Sequence, residues 1–314
     1  MRRSNFLEKY KNFKDPEEVQ NERKKRIEEQ ETGNDQEWEK GMEKLKDYLE
    51  KVANKLTEDG FPVDGGAHVD SESDFFNDLY SKAERGQHEE KLEEFERKIF
   101  EEHGWRGEED RMETRGEQLE MLKTALFDQF LGKSFHVLRT SKHDDYFNHL
   151  DNILVDKETG EMVCAFDEVS VLADSDPRIK KQRFREKENK VFNANASGGG
   201  KLDYAFQVVN EEGNKNIVPA KVENVPVFWI PLSGSTVEKA VRKFGSYEKQ
   251  DIKYEKEVFD YLIRKIYEQA RNLKNRRESP SDLEERSKSF LITKDWKKRF
   301  NVFYEHLEGE IVVE

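Results

Sequence analysis

Two β-prone runs, Asp151–Asp156 and Met162–Val169, are joined by Lys157-Glu158-Thr159-Gly160, and this hairpin constrains the fold more than any other stretch. Ile153, Val155, Val163 and Val169 suit a pleated, half-buried surface, and a turn ending in glycine supplies the reversal. Antiparallel pairing sets the start of one strand beside the end of the other. Asp151 opens the first run, while Asp167 and Glu168 lie near the end of the second, so carboxylates gather at one end of the ribbon. Such oxygen donors fit a hard cation, Mg²⁺ or Mn²⁺. Alternation sends Asp167 and Glu168 to opposite faces, and Asp167 is the better match for Asp151 if Phe166 is core.

The hairpin belongs to a polar chain. Of 314 residues, 34% are hydrophobic and 39% charged, which predicts a modest core with solvated helical extensions. The net charge of −13 resides in residues 1–120, whereas residues 121–314 are neutral in sum. The sequence pI of about 5.3 is therefore a weak argument against a nucleic-acid partner. A lone cysteine, Cys164 in an apparent core strand, excludes an intrachain disulfide or a cysteine-based zinc site. No apolar run reaches the roughly 18 residues of a membrane span, and residues 1–13 lack a signal-peptide core, so a cytoplasmic protein is the expectation.

Four regions follow from composition and periodicity. Residues 1–58 read as a charged helical arm, broken at Thr32-Gly33-Asn34-Asp35, with Met42, Leu45, Leu49 and Val52 as an apolar stripe. That stripe docks on the main domain, on a protein partner or on a second copy. Residues 59–113 combine an acidic loop with helices, and Trp105 is the expected anchor. Residues 114–275 form the α/β core, a mixed central sheet flanked by helices. Within it Leu119, Leu122, Leu126 and Phe130 mark one helical face that Gly132 ends. Residues 276–314 read as a linker-like break and a tail.

The order helix, strand, acidic hairpin, helix, strand between Glu117 and Asn210 resembles the PD-(D/E)xK superfamily of restriction-endonuclease-like nucleases. The resemblance rests on Asp151, on Phe166-Asp167-Glu168-Val169 and on Glu117 or Glu120 of the leading helix. It implies that Asp151 and Asp167 or Glu168 hold Mg²⁺ or Mn²⁺, with Glu120 joining them. It also implies a lysine two residues beyond the second acid, but Val169 and Ser170 stand there. A lysine of the following helix would have to substitute: Lys180, Lys181, Lys187 or Lys190, with Lys190 preferred because it precedes the Gly-rich loop. The implied activity is hydrolysis of phosphodiester bonds in nucleic acid. The alternative is a non-catalytic interaction protein that keeps the fold and binds a protein partner through its N-terminal helices.

The segment Arg178–Lys190 holds seven basic residues against two acidic ones, the best phosphate-facing surface in the chain. Lys180, Lys181, Arg183, Lys187 and Lys201 are its nucleic-acid-binding candidates. Gly198-Gly199-Gly200-Lys201 enters a strand rather than a helix, which argues against a nucleotide phosphate loop. His143, Asp144, Asp145, His149 and Asp151 form a second His/Asp cluster, but its lead into a strand does not match a phosphohydrolase built on long helices.

Overall fold

A computed structural model describes residues 16–103, 115–171, 177–211, 214–246, 248–278 and 293–312. In chain order the elements are α1 (Pro16–Glu58), α2 (Lys82–His103), α3 (Arg115–Leu131), β1 (Phe135–Arg139), β2 (Asn152–Asp156) and β3 (Met162–Val171). Then come α4 (Pro177–Ala196), β4 (Gly200–Glu211), β5 (Asn214–Val225), β6 (Val227–Ser233), α5 (Gly234–Lys243), α6 (Lys249–Glu278) and α7 (Lys294–Val312). The architecture is mixed α/β. A four-stranded sheet in the order β1-β2-β3-β6 is flanked by helices, and β4 and β5 form a separate two-stranded ribbon.

β1, β2 and β3 are antiparallel neighbours, whereas β6 runs parallel to β3. A parallel neighbour requires a crossover, and α4 with the β4–β5 ribbon lies within it. The β2–β3 turn forms where the sequence predicts. Gly160 has φ +73°, Asp156 Oδ1 accepts the Thr159 amide at 2.7 Å, and a Cβ on Gly160 would lie 2.4 Å from Val208.

α3 is buried on nearly every side, with Leu119, Leu122, Ala125 and Leu126 at the centre of the main core. α1 packs across it. Its helix runs unbroken through Thr32-Gly33-Asn34-Asp35, since one interior glycine costs only about 1 kcal/mol in a long helix. Met42, Leu45, Leu49 and Val52 are all buried, so this stripe docks on the chain itself. Gly41 permits that crossing, because a Cβ there would meet the Val241 carbonyl of α5 at 2.0 Å.

Two expectations change. Residues 294–312, assigned to a tail, form α7, whose Trp296, Phe300, Phe303 and Leu307 are buried in the main core. These aromatics recur at helical spacing but are diluted by charges, which hides the period. β5 carries little strand signal in the sequence, its alternation being interrupted by Pro219 and charged residues. Trp105 lies outside the described residues. Among the described residues no helix is long and apolar enough to cross a membrane.

Candidate active site

The hairpin register brings the two sequence-predicted aspartates together. Asn152 pairs with Phe166, and the Asp151 amide donates to the Phe166 carbonyl at 2.8 Å, which holds Asp151 at the end of β2 beside the residue that precedes Asp167. Both aspartate side chains are buried, at 9% and 4% exposure. Burial, and then the Asp167 charge, push the Asp151 carboxyl above its usual range. Burial likewise raises Asp167, while Lys187 works in the opposite direction.

Lys187 reaches these acids from α4 and closes an ion pair on Asp167. The helix presents it because Phe184, Lys187, Val191 and Asn195 fall on one face at three- and four-residue spacing. Phe184 packs on Trp229 with ring centroids 5.6 Å apart, and Val191 is buried. Asn195 fixes the far end of the face. Its amide donates to the Val227 carbonyl at 2.7 Å and accepts the Val227 amide at 3.0 Å, occupying the open edge of β6 as a strand would. The Trp296 indole also donates to Asn195 Oδ1, at 3.2 Å. Gln269 of α6 brackets Trp229 in the same way, at 3.0 and 2.7 Å. Lys190, the lysine preferred from the sequence, is exposed; Asp167 and Asp151 lie in its electrostatic surroundings, but the ion pair to Asp167 is made by Lys187. The lysine in contact is one turn earlier.

α3 closes the site from behind. Asn152 donates to Thr124 Oγ1 at 2.7 Å, and Thr124 donates to the Glu120 carbonyl at 2.7 Å, which pins the helix over β2. Lys123, wholly buried one residue away, sits 5.6 Å from the Phe166 ring centroid. Burial depresses its ammonium to about 7, against the pull of Asp151, Glu120 and Asp167. Arg139 of β1 donates to Glu117 at 2.5 Å and to Glu120 at 2.7 Å. Burial opposes its charge, but the two glutamates outweigh burial and keep the guanidinium charged. Glu120 thus lies within the field of Asp151 with one oxygen committed to Arg139, and burial, then Glu117, hold its own carboxyl high. A lysine inside the apolar run Leu119–Phe127 was the sequence signal for Lys123, and it was missed.

A second acidic group lies elsewhere. Ligand atoms of His143, Asp144 and Asp203 fall within 4.8 Å of one another. Asp144, however, accepts four hydrogen bonds: from the Asp203 amide at 2.7 Å, Asn148 at 2.6 Å, the Tyr204 amide at 2.9 Å and Ser141 at 2.8 Å. Two donors on each oxygen make it a knot tying the turn at Asp144–Asn148 to β4. An ion held by this group would have to compete with those donors for Asp144.

The remaining candidates separate. Lys201 pairs with Asp203 at 3.3 Å, beside that knot rather than beside Asp167. The side chains of Glu168, Lys180, Lys181 and Arg183 lie outside the described residues. Cys164 is buried, and burial raises its thiol far above the ordinary value, so it is no nucleophile. Gly199, at φ +107°, packs against the Val225 backbone and Trp296, a structural reason for the Gly-rich loop. No family model, curated protein or solved structure matches the chain.

Proposed function

We propose that this chain is a metal-dependent hydrolase of phosphodiester bonds in nucleic acid, built on a restriction-endonuclease-like core. The observation that carries the reading is that Asp151, Asp167 and Lys187 lie in one another's electrostatic reach, with Lys187 ion-paired to Asp167. The run α3-β1-β2-β3-α4 follows the element order of the resemblance. The departure at Val169 and Ser170 has a physical substitute, since Lys187 delivers the cation from a helix instead of the strand.

Two neighbouring, buried carboxylates raised by their surroundings, one of them held by an ammonium, form a donor set suited to a hard divalent ion. Asp151 and Asp167 would hold Mg²⁺ or Mn²⁺, which would polarise a phosphoryl oxygen and acidify bound water. Lys187 offsets negative charge beside Asp167 and is placed to do the same for a phosphate. Lys123, titrating near neutrality, can hold or release a proton within reach of the acids' field. Glu117 and Glu120 keep Arg139 and α3 in place. Lys180, Lys181, Arg183 and Lys190 precede or follow Lys187 on α4, a basic run for contacting the flanking backbone.

The test is incubation of single- and double-stranded DNA and RNA with Mn²⁺, comparing the parent with Asp151→Ala, Asp167→Ala and Lys187→Met. Cleavage by the parent and loss of at least about a hundredfold in each variant is the expected result. Equal product from parent and variants, or no product with any substrate, defeats the proposal.

A further inference from the structure

Beside the Asp144 knot lies an open cleft of about 430 Å³ whose chemistry the acid pair does not use. Its rim carries three exposed lysines from three separate elements, Lys91 of α2, Lys201 of β4 and Lys221 of β5. Its floor is His143, only 8% exposed, whose Nδ1 has no hydrogen-bond partner among the described residues. Phe147 offers an exposed aromatic face on one wall.

The lysines converge rather than merely sharing a surface. Lys91 and Lys221 both act electrostatically on His88, and Lys201 and Lys91 act on His143. The two imidazole rings lie 4.7 Å apart, and His88 Nδ1 is 2.9 Å from the Tyr204 hydroxyl. Asp203 is the one carboxylate in the lining. It accepts from Asn148 at 3.1 Å and pairs with Lys201, so its charge is engaged by neighbouring side chains. Glu84, near Lys221, is engaged by the Ser81 amide and hydroxyl at 2.9 and 2.7 Å. Three ammonium groups face one carboxylate in the lining, Asp203, while Asp144 behind the floor is held by four donors of its own, which leaves the open side of the cleft basic. A divalent cation would have to enter past those ammonium groups and displace donors from Asp144.

We infer that this cleft is a phosphate-binding site, its rim lysines taking the phosphate oxygens and His143 supplying a polar floor. The turn Asp144–Asn148 connects it to the acid pair, because Asp145 hydrogen-bonds Asp151 while Phe147 and Asn148 line the cleft. The phosphate is accordingly that of a nucleic-acid strand whose neighbouring linkage lies at Asp151 and Asp167. This last step rests on the phosphodiesterase reading; the anion site itself does not.

The test is NMR of the histidine side chains of the full chain at constant pH without divalent metal. Inorganic phosphate and a short oligonucleotide are titrated separately into the parent, Lys91→Ala/Lys221→Ala and Asp151→Asn. The inference expects saturable shifts at His88 and His143 with phosphate in the parent and in Asp151→Asn. It expects tighter binding of the oligonucleotide, and affinity lowered about tenfold or more in the double variant. Phosphate shifts that persist when cleavage is absent uphold the anion site while the nuclease reading falls. Equal affinity for phosphate and oligonucleotide overturns the assignment to a strand. No shift, or a shift unchanged in the double variant, overturns the site.

Discussion

Lys187 of α4 is ion-paired to Asp167 of β3, and the Asp151 amide is bonded to the carbonyl of Phe166, the residue before that aspartate. The arrangement needs three separate positioning devices: the hairpin register, the Asn195 bracket on β6 and the Arg139 knot under α3. Each can be broken singly.

Replacement of Asp151 by Asn should stabilise the fold near neutral pH while abolishing metal-dependent activity. The folded pKa of Asp151 is raised, so the protonated form is favoured on folding. Its stabilising effect is present below the unfolded value of about 4 and is lost as pH rises through the folded value. Removing the charge avoids that loss, a gain on the order of 1 kcal/mol at pH 7. Urea denaturation of parent and Asp151→Asn at acidic and neutral pH measures it.

Lys123 gives the opposite slope. Its folded pKa is lowered to about 7, so the unfolded chain binds the extra proton between about pH 7 and about pH 10. Stability from this group therefore rises with pH across that window. In Lys123→Met the rise should disappear, and paired denaturation curves at the two ends of the window decide it.

Arg139→Leu should be the most damaging single change. It leaves Glu117 and Glu120 buried without their cation, at a cost of about 3–5 kcal/mol. Restoring balance with Glu117→Gln and Glu120→Gln in the same chain should recover part of the loss. A double-mutant cycle by denaturant titration reads the coupling.

Asn195→Leu removes the bracket that holds α4 to the open edge of β6. The freed Val227 amide and carbonyl should cost about 2–4 kcal/mol together. Hydrogen exchange at the Val227 amide should accelerate, and cleavage should fall because Lys187 is two turns along the same helix. Unchanged protection would refute the positioning role.

The hairpin and its acids were legible because turn and register are local: Gly160 fixes the reversal, and pairing then dictates that Asp151 meets Asp167. Lys187 was half legible. It stood among the basic residues of α4, but only the Phe184–Val191–Asn195 face distinguishes it from Lys190. Lys123 and Arg139 were not legible as site neighbours, since their meeting depends on how α3 lies over β1 and β2. α7 was hidden by charge: Trp296, Phe300, Phe303 and Leu307 are four residues among many polar ones, and only packing against the sheet reveals them. The His143 cleft is likewise assembled from α2, β4, β5 and the Asp144 turn, and no linear spacing encodes it.

Mn²⁺ binding followed by electron paramagnetic resonance in the parent and in Asp151→Asn/Asp167→Asn tests the acid pair most directly. The account predicts one saturable site in the parent that disappears in the double variant. Equal binding by the two proteins, or none by the parent, would contradict it.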